Sequence, residues 1–194
     1  MSQSDSLQTN SEHPAVMAAC TEAGNIAAQL LKEGGRGAVL LGAARLDLAL
    51  EKLLKASMHP HTGGDDNLFD PDRPLGTFSA KIALCFRLGL ISKEVEHALQ
   101  MLRKVRNEFA HSFEDSSLAD HVHRNRLSKP YIEARKSAIW ASLSPLLDAQ
   151  TQIPKELREF IAFVVTLLSY MEAGVHVLDA FNPKIQITFT SIRK

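Results

Sequence analysis

Three residues in the middle of the chain have the types that handle phosphate and protons: Arg106, Asn107 and His111. A guanidinium clasps an oxyanion with parallel N–H donors, and an imidazole exchanges protons near neutral pH. Arg103, Asn107 and His111 recur at i, i+4 and i+8, which places them on one stripe of a helix. His121, His123, Arg124, Arg126 and Lys129 follow shortly after. Arg103, Asn107, His111, Arg124 and Arg126 are therefore a candidate anion or partner surface, with a solvated polar face as the plainer reading. His121 and His123, two residues apart, do not share a helix face and make a poor metal pair.

Arg106 stands apart from that stripe. At about 100° per residue, Val95, Leu99, Leu102, Val105 and Phe109 form one apolar arc, and Arg106 falls inside it. A guanidinium turned inward needs a partner. Asp47 lies in the apolar stripe of an earlier helix, between Ala43, Ala44 and Leu50, Leu54, and Glu51 follows one turn later. The expectation is a structural ion pair of Arg106 with Asp47 or Glu51; catalysis and ligand binding remain alternatives. His111 lies about 140° further round the helix, so one straight helix does not bring both side chains to one phosphate. A helix C-terminal cation is the simpler role for His111.

Two other clusters invite a metal reading and carry it weakly. The loop from His59 to Arg73 holds His59, His61, Asp65, Asp66, Asp70 and Asp72, without the spacing of a calcium loop. Asp70-Pro71-Asp72 and Arg73-Pro74 suit a turn into the next helix. Cys20 and Cys85 are the only cysteines and sit in apolar helical contexts, as reduced buried thiols would. No zinc ladder, nucleophile–base set or cofactor loop stands out, so the reading assigns no metal and no cofactor.

The elements that must position these residues are helices. Pro14 to Lys32 carries apolar residues at 3–4 spacing and stops at Gly34-Gly35. A second helix is expected from about Arg36 to Met58. Thr77 suits the N-cap of a third, which Gly89 ends in a left-handed turn. Ser92 caps a fourth, with Glu94 and Glu96 on its positive end, running to about His111. A polar segment, Ser112 to Lys129, separates it from a helix over Pro130 to Ala149. Pro154 opens a last helix to about Ala180. The tail 184–194 alternates Ile185, Ile187 and Phe189 with polar residues, as one short strand lacking an obvious partner would. The expected fold is all-α, a single helical bundle of about six helices: a polar tail over 1–12, a bundle over 13–183, and an extended tail over 184–194.

Bulk properties bound the partners. Among 194 residues, Lys plus Arg total 22 and Asp plus Glu total 22, so no global basic excess supports an extensive grip on nucleic acid. Met1 to Glu12 lacks the pattern of a signal peptide, and the longest apolar run, Phe160 to Tyr170, falls short of the roughly 20 residues of a membrane span. A cytoplasmic address without membrane contact is expected. Large apolar helices suggest self-association or a protein partner.

Three motifs in order, GTFSAKI (Gly76–Ile82), LGLIS (Leu88–Ser92) and RKVRNEFAH (Arg103–His111), resemble the mannitol operon repressor family of bacterial transcriptional regulators. The helix around Ala44 to Leu54 fits the family's preceding helix, and the resemblance covers about Arg36 to His111. It implies an all-α repressor without a recognisable helix-turn-helix, acting mainly through protein–protein contacts. Leu84 to Leu102 superficially matches that motif, but its second helix begins with Glu94 and Glu96, where phosphates would sit. A second resemblance is to the HEPN superfamily, which includes ribonuclease toxins. It implies that Arg106 steadies a phosphate and His111 serves proton transfer, often across a dimer, with Asn107 in the polar position. Ribonuclease and direct DNA-binding repressor are thus the alternatives to a regulator working through protein contacts.

Overall fold

A computed structural model describes residues 14–64, 66–111, 116–180, 186–187 and 192–193. The expected polar tail over 1–12 lies outside the described residues, as does most of the tail over 184–194.

The first two helices are nearly continuous. α1 (Pro14–Lys32) and α2 (Gly34–Ser57) are joined by Glu33 alone, and Gly34 takes a left-handed φ of +69° that redirects the chain. The breaker read at Gly34-Gly35 therefore turns the chain without adding a loop. After the loop that follows α2, Thr77 caps α3 (Phe78–Arg87), its hydroxyl oxygen accepting from the Ala80 amide at 3.2 Å. Gly89, at φ +73°, makes the tight turn to α4 (Lys93–His111). Ser92 accepts from the Val95 amide at 3.4 Å and also lowers the Glu94 carboxyl below its ordinary range. These boundaries agree with the sequence reading.

The next part does not. The segment read only as polar to Lys129 contributes most of α5 (His121–Ala134), which has Pro130 inside it. His123, Leu127 and Tyr131 are buried at i, i+4 and i+8. That core row holds a histidine and few aliphatic residues, which hid its helical period. Its burial outweighs the one backbone hydrogen bond that proline removes. A break at Arg135–Ser137 then divides the single helix expected over Pro130 to Ala149. Ser137 caps α6 (Ala138–Asp148), its hydroxyl accepting from the Trp140 amide at 3.0 Å.

α7 (Lys155–Val175) is the centre of the bundle. Phe160 to Leu168 are buried without interruption, so this helix is covered on every side. α1, α2, α5 and α6 all pack against it. The α2–α7 seam is close because glycine permits it: a Cβ on Gly42 would sit 3.2 Å from both methyls of Val164. At the other end Gly174 faces Leu53 in the same way, at 3.1 Å. α3 and α4 lie outside, against α2 and each other, and α5 bridges α4 to α7. Buried residues from every helix join one core.

The bundle thus has seven helices among the described residues. In the C-terminal tail, β1 (Gln186–Ile187) pairs antiparallel with β2 (Ile192–Arg193), Gln186 opposite Arg193. The strand expected to lack a partner finds it in its own tail. Among the described residues, no helix is long and apolar enough to cross a membrane.

Candidate functional site

α4 carries the candidate residues, and its two sides are sharply different. Ala98, Leu99, Leu102, Val105 and Phe109 are buried, while Arg106 and His111 are exposed, and Arg103 and Asn107 half-buried. The inward placement expected for Arg106 is therefore corrected. α3, with 10 residues, is about half as long as the 19-residue α4 that it packs against. At a rise of about 1.5 Å per residue α3 spans roughly 15 Å, and Arg106 lies about 20 Å along α4. Leu99 is buried, whereas Arg106, seven residues further along the same flank, is exposed.

The expected ion pair of Arg106 with Asp47 and Glu51 is corrected as well. Lys81 of α3 takes both acids: its Nζ lies 3.1 Å from Asp47 Oδ1 and 3.0 Å from Glu51 Oε2. Only 3% of the Lys81 side chain is exposed, so the ammonium depends on these two oxygens. Lys55 adds a second cation at 2.8 Å from Glu51 Oε1. Burial pushes the Glu51 carboxyl up, but the hydrogen bonds and charges of Lys55 and Lys81 outweigh it and hold the group below its ordinary value. Sequence carried a signal for Lys81. It occupies the apolar row of α3, three residues after Phe78 and four before Cys85, as Asp47 does in α2.

Arg106 Nη1 instead donates to the amide oxygen of its neighbour Asn107 at 3.1 Å, and Arg103 Nε to the amide oxygen of Gln100 at 3.1 Å. Among the described residues neither guanidinium pairs with a carboxylate. A neutral amide orients a guanidinium without cancelling its charge, so the remaining N–H donors stay available to an anion.

His111 is exposed at the last residue of α4, five residues after Arg106 on the same continuous helix. The chain accordingly brings Arg106 and Asn107 together and leaves His111 about 140° round the helix.

α5 divides the remaining candidates. Arg124 is exposed. Arg126 lies 2.5 Å from Glu108 Oε1 and is neutralised there, so it leaves the surface expected for it and joins α5 to α4. His121 is exposed and His123 is buried. The His123 ring rests on Phe109 with centroids 5.1 Å apart. Its Nδ1 is 3.6 Å from Glu108 Oε2 and its Nε2 3.9 Å from Asp120 Oδ2, beyond hydrogen-bond length.

The loop between α2 and α3 packs as a turn. Asp66 accepts from the Leu68 amide at 3.3 Å, and Phe69 is buried beneath Lys55, whose Nζ lies 4.9 Å from the ring centroid. Asp65 lies outside the described residues. Among those described, no three His, Cys, Asp or Glu side chains gather as a metal site. Cys85 is buried and its thiol is pushed up to about 12 by burial, which keeps it protonated. The side chain of Cys20 lies outside the described residues.

Comparison with protein-family models, curated proteins and solved structures finds no match to this chain.

Proposed function

We propose that this protein is a transcriptional regulator, a cytoplasmic repressor of the kind implied by its resemblance to the mannitol operon repressor family. It acts by docking a protein partner on the polar side of α4. The observation that carries the reading is Arg106: exposed, oriented by Asn107 and paired with no carboxylate among the described residues. Arg103 beside it is held by an amide in the same manner. Two oriented and uncancelled guanidiniums suit an acidic patch on a partner, where arginine fits a carboxylate with paired donors. The first turn of α4 holds Glu94 and Glu96, which disfavours laying that helix into a DNA groove.

A second reading, a HEPN-like ribonuclease, is favoured by the joint exposure of Arg106 and His111. Their separation around one helix means that such a centre would need a second copy of the chain.

The test is retention of proteins from host extract on immobilised wild type, Arg106→Ala and Arg103→Ala, each eluted with a salt gradient. The regulator reading expects a protein held by the wild type, released as salt screens the charges, and lost with either variant. Identical retention by all three would overturn it.

A further inference from the structure

The bend between α1 and α2 rests on two glycines. Gly34 holds a φ of +69°, in a region that L side chains rarely adopt. At Gly37 an added Cβ would sit 2.8 Å from the Glu33 Cβ, so the bend leaves no room for a side chain there. On an unbroken α-helix the same two Cβ atoms would lie about 5–6 Å apart. Both glycines are therefore required by the bend, and neither by a straight helix. Glu33, the single residue between α1 and α2, is already in the right-handed helical region, at φ −78° and ψ −13°. Its side chain makes no cap bond to the first N–H groups of α2. Return of Gly34 to a right-handed φ would merge α1 and α2 into one helix from Pro14 to Ser57, about 66 Å long. The last carbonyls of α1 would then bond the first amides of α2. Such a helix carries α1 away from the core. Ile26, Ala27 and Leu30 of α1 are buried, and α1 packs against α7 as well as α2. Straightening exposes this row and empties its seat on α7, a loss of apolar burial that one chain alone cannot recover. A second copy that straightens in the same way offers the identical row to that seat.

We infer that Glu33 to Gly37 is a hinge through which two copies of the chain exchange α1, each α1 seating on the α7 of the other copy. The exchange is closed and twofold, because each copy gives one helix and receives one. The contacts of α1 with α7 are remade between copies, so the balance between monomer and exchanged dimer rests on the hinge and on concentration. Gly34, Gly35 and Gly37 tilt that balance towards the bend, since glycine disfavours a helix interior. The hinge holds no residue of α4, so the inference stands apart from the partner surface proposed above.

Sedimentation velocity on the full chain tests this, with wild type, Gly34→Ala, Gly34→Ala/Gly37→Ala and Gly24→Ala. Each is held at high concentration just below its melting temperature and then cooled, which lets α1 leave its seat. Gly24 lies within α1 with open space around it and controls for helix propensity away from the hinge. The ratio of dimer to monomer should rise at least about tenfold over wild type in the double variant, by less in Gly34→Ala, and not in Gly24→Ala. The Arg45–Gln29 contact identifies the dimer. Arg45 Nη2 donates to Gln29 Oε1 across the bend at 2.9 Å, whereas on one straight helix these positions lie about 24 Å apart. Gln29→Cys/Arg45→Cys is added to wild type and to both hinge variants, with Cys20→Ser, while Cys85 stays buried. A short bifunctional maleimide should link the two new thiols within one chain in the monomer and between chains in the dimer, as a denaturing gel reads. Hinge variants that stay monomeric overturn the inference, as does a dimer whose links stay within one chain. An equal rise in Gly24→Ala also overturns it. Should the double variant fail to fold, Gly34→Ala decides by the same criteria.

Discussion

Replacing Lys81 with methionine removes the one cation that joins α3 to both acids of α2, at little change in volume. Its ammonium lies 3.1 Å from Asp47 and 3.0 Å from Glu51, with 3% of the side chain exposed. Each charged contact of this kind is worth about 1.5–3 kcal/mol net when broken. The acids keep some water, at 30% and 21% exposure, and Glu51 keeps Lys55, which places both contacts at the low end of that range. The expected loss is about 3 kcal/mol, or roughly 6–12 °C in Tm for a chain of this size. Urea unfolding followed by circular dichroism measures it. The pH dependence provides the control. Glu51 is held below its ordinary 4.5 in the folded protein, so its stabilising contribution is complete above that value and is lost as pH falls through the folded value. The gap between wild type and variant should therefore be full at pH 7 and shrink below about pH 4.5. A loss under 0.5 kcal/mol at neutral pH, or a gap that persists unchanged in acid, would contradict a stabilising ion pair at Lys81.

Arg106→Ala should leave stability within about 0.5 kcal/mol, because the guanidinium is exposed and bonded only to Asn107; a loss above 2 kcal/mol in the same unfolding assay would restore a structural role. Gly76→Ala should cost about 2 kcal/mol or more, since its Cβ would fall 2.1 Å from the Asp70 carbonyl oxygen; an unshifted melting curve would contradict the tight loop. Thr77→Ala should cost about 1 kcal/mol by removing the α3 cap, read by thermal melting. Cys85 should resist maleimide labelling in the native chain and react after denaturation, as peptide mass mapping would show, because burial keeps it protonated. Rapid native labelling would place it at the surface.

Sequence reveals an element where local chemistry decides its ends. Thr77, Gly89 and Ser92 mark the limits of α3 and α4 because capping and left-handed turns depend on single residues. It conceals an element where tertiary burial overrides local signals, as in α5, whose core row contains His123 and whose interior contains Pro130. The charged residues teach a related lesson. Asp47, Lys81 and Arg106 each fall in an apolar row, and periodicity alone treats them alike. Asp47 and Lys81 meet because α2 and α3 lie side by side, whereas Arg106 is exposed to water on α4. Which cation satisfies Asp47 depends on helix lengths and neighbours, and periodicity along one helix carries neither.

On the proposed regulator function, α4 presents Arg106 for binding and not for cutting. Incubation of the purified chain with single-stranded RNA, at concentrations that allow two copies to meet, tests this most directly. RNA of unchanged length is expected with wild type, Arg106→Ala and His111→Ala alike. Fragments produced by the wild type, and lost in both variants while their melting curves stay the same, would contradict it.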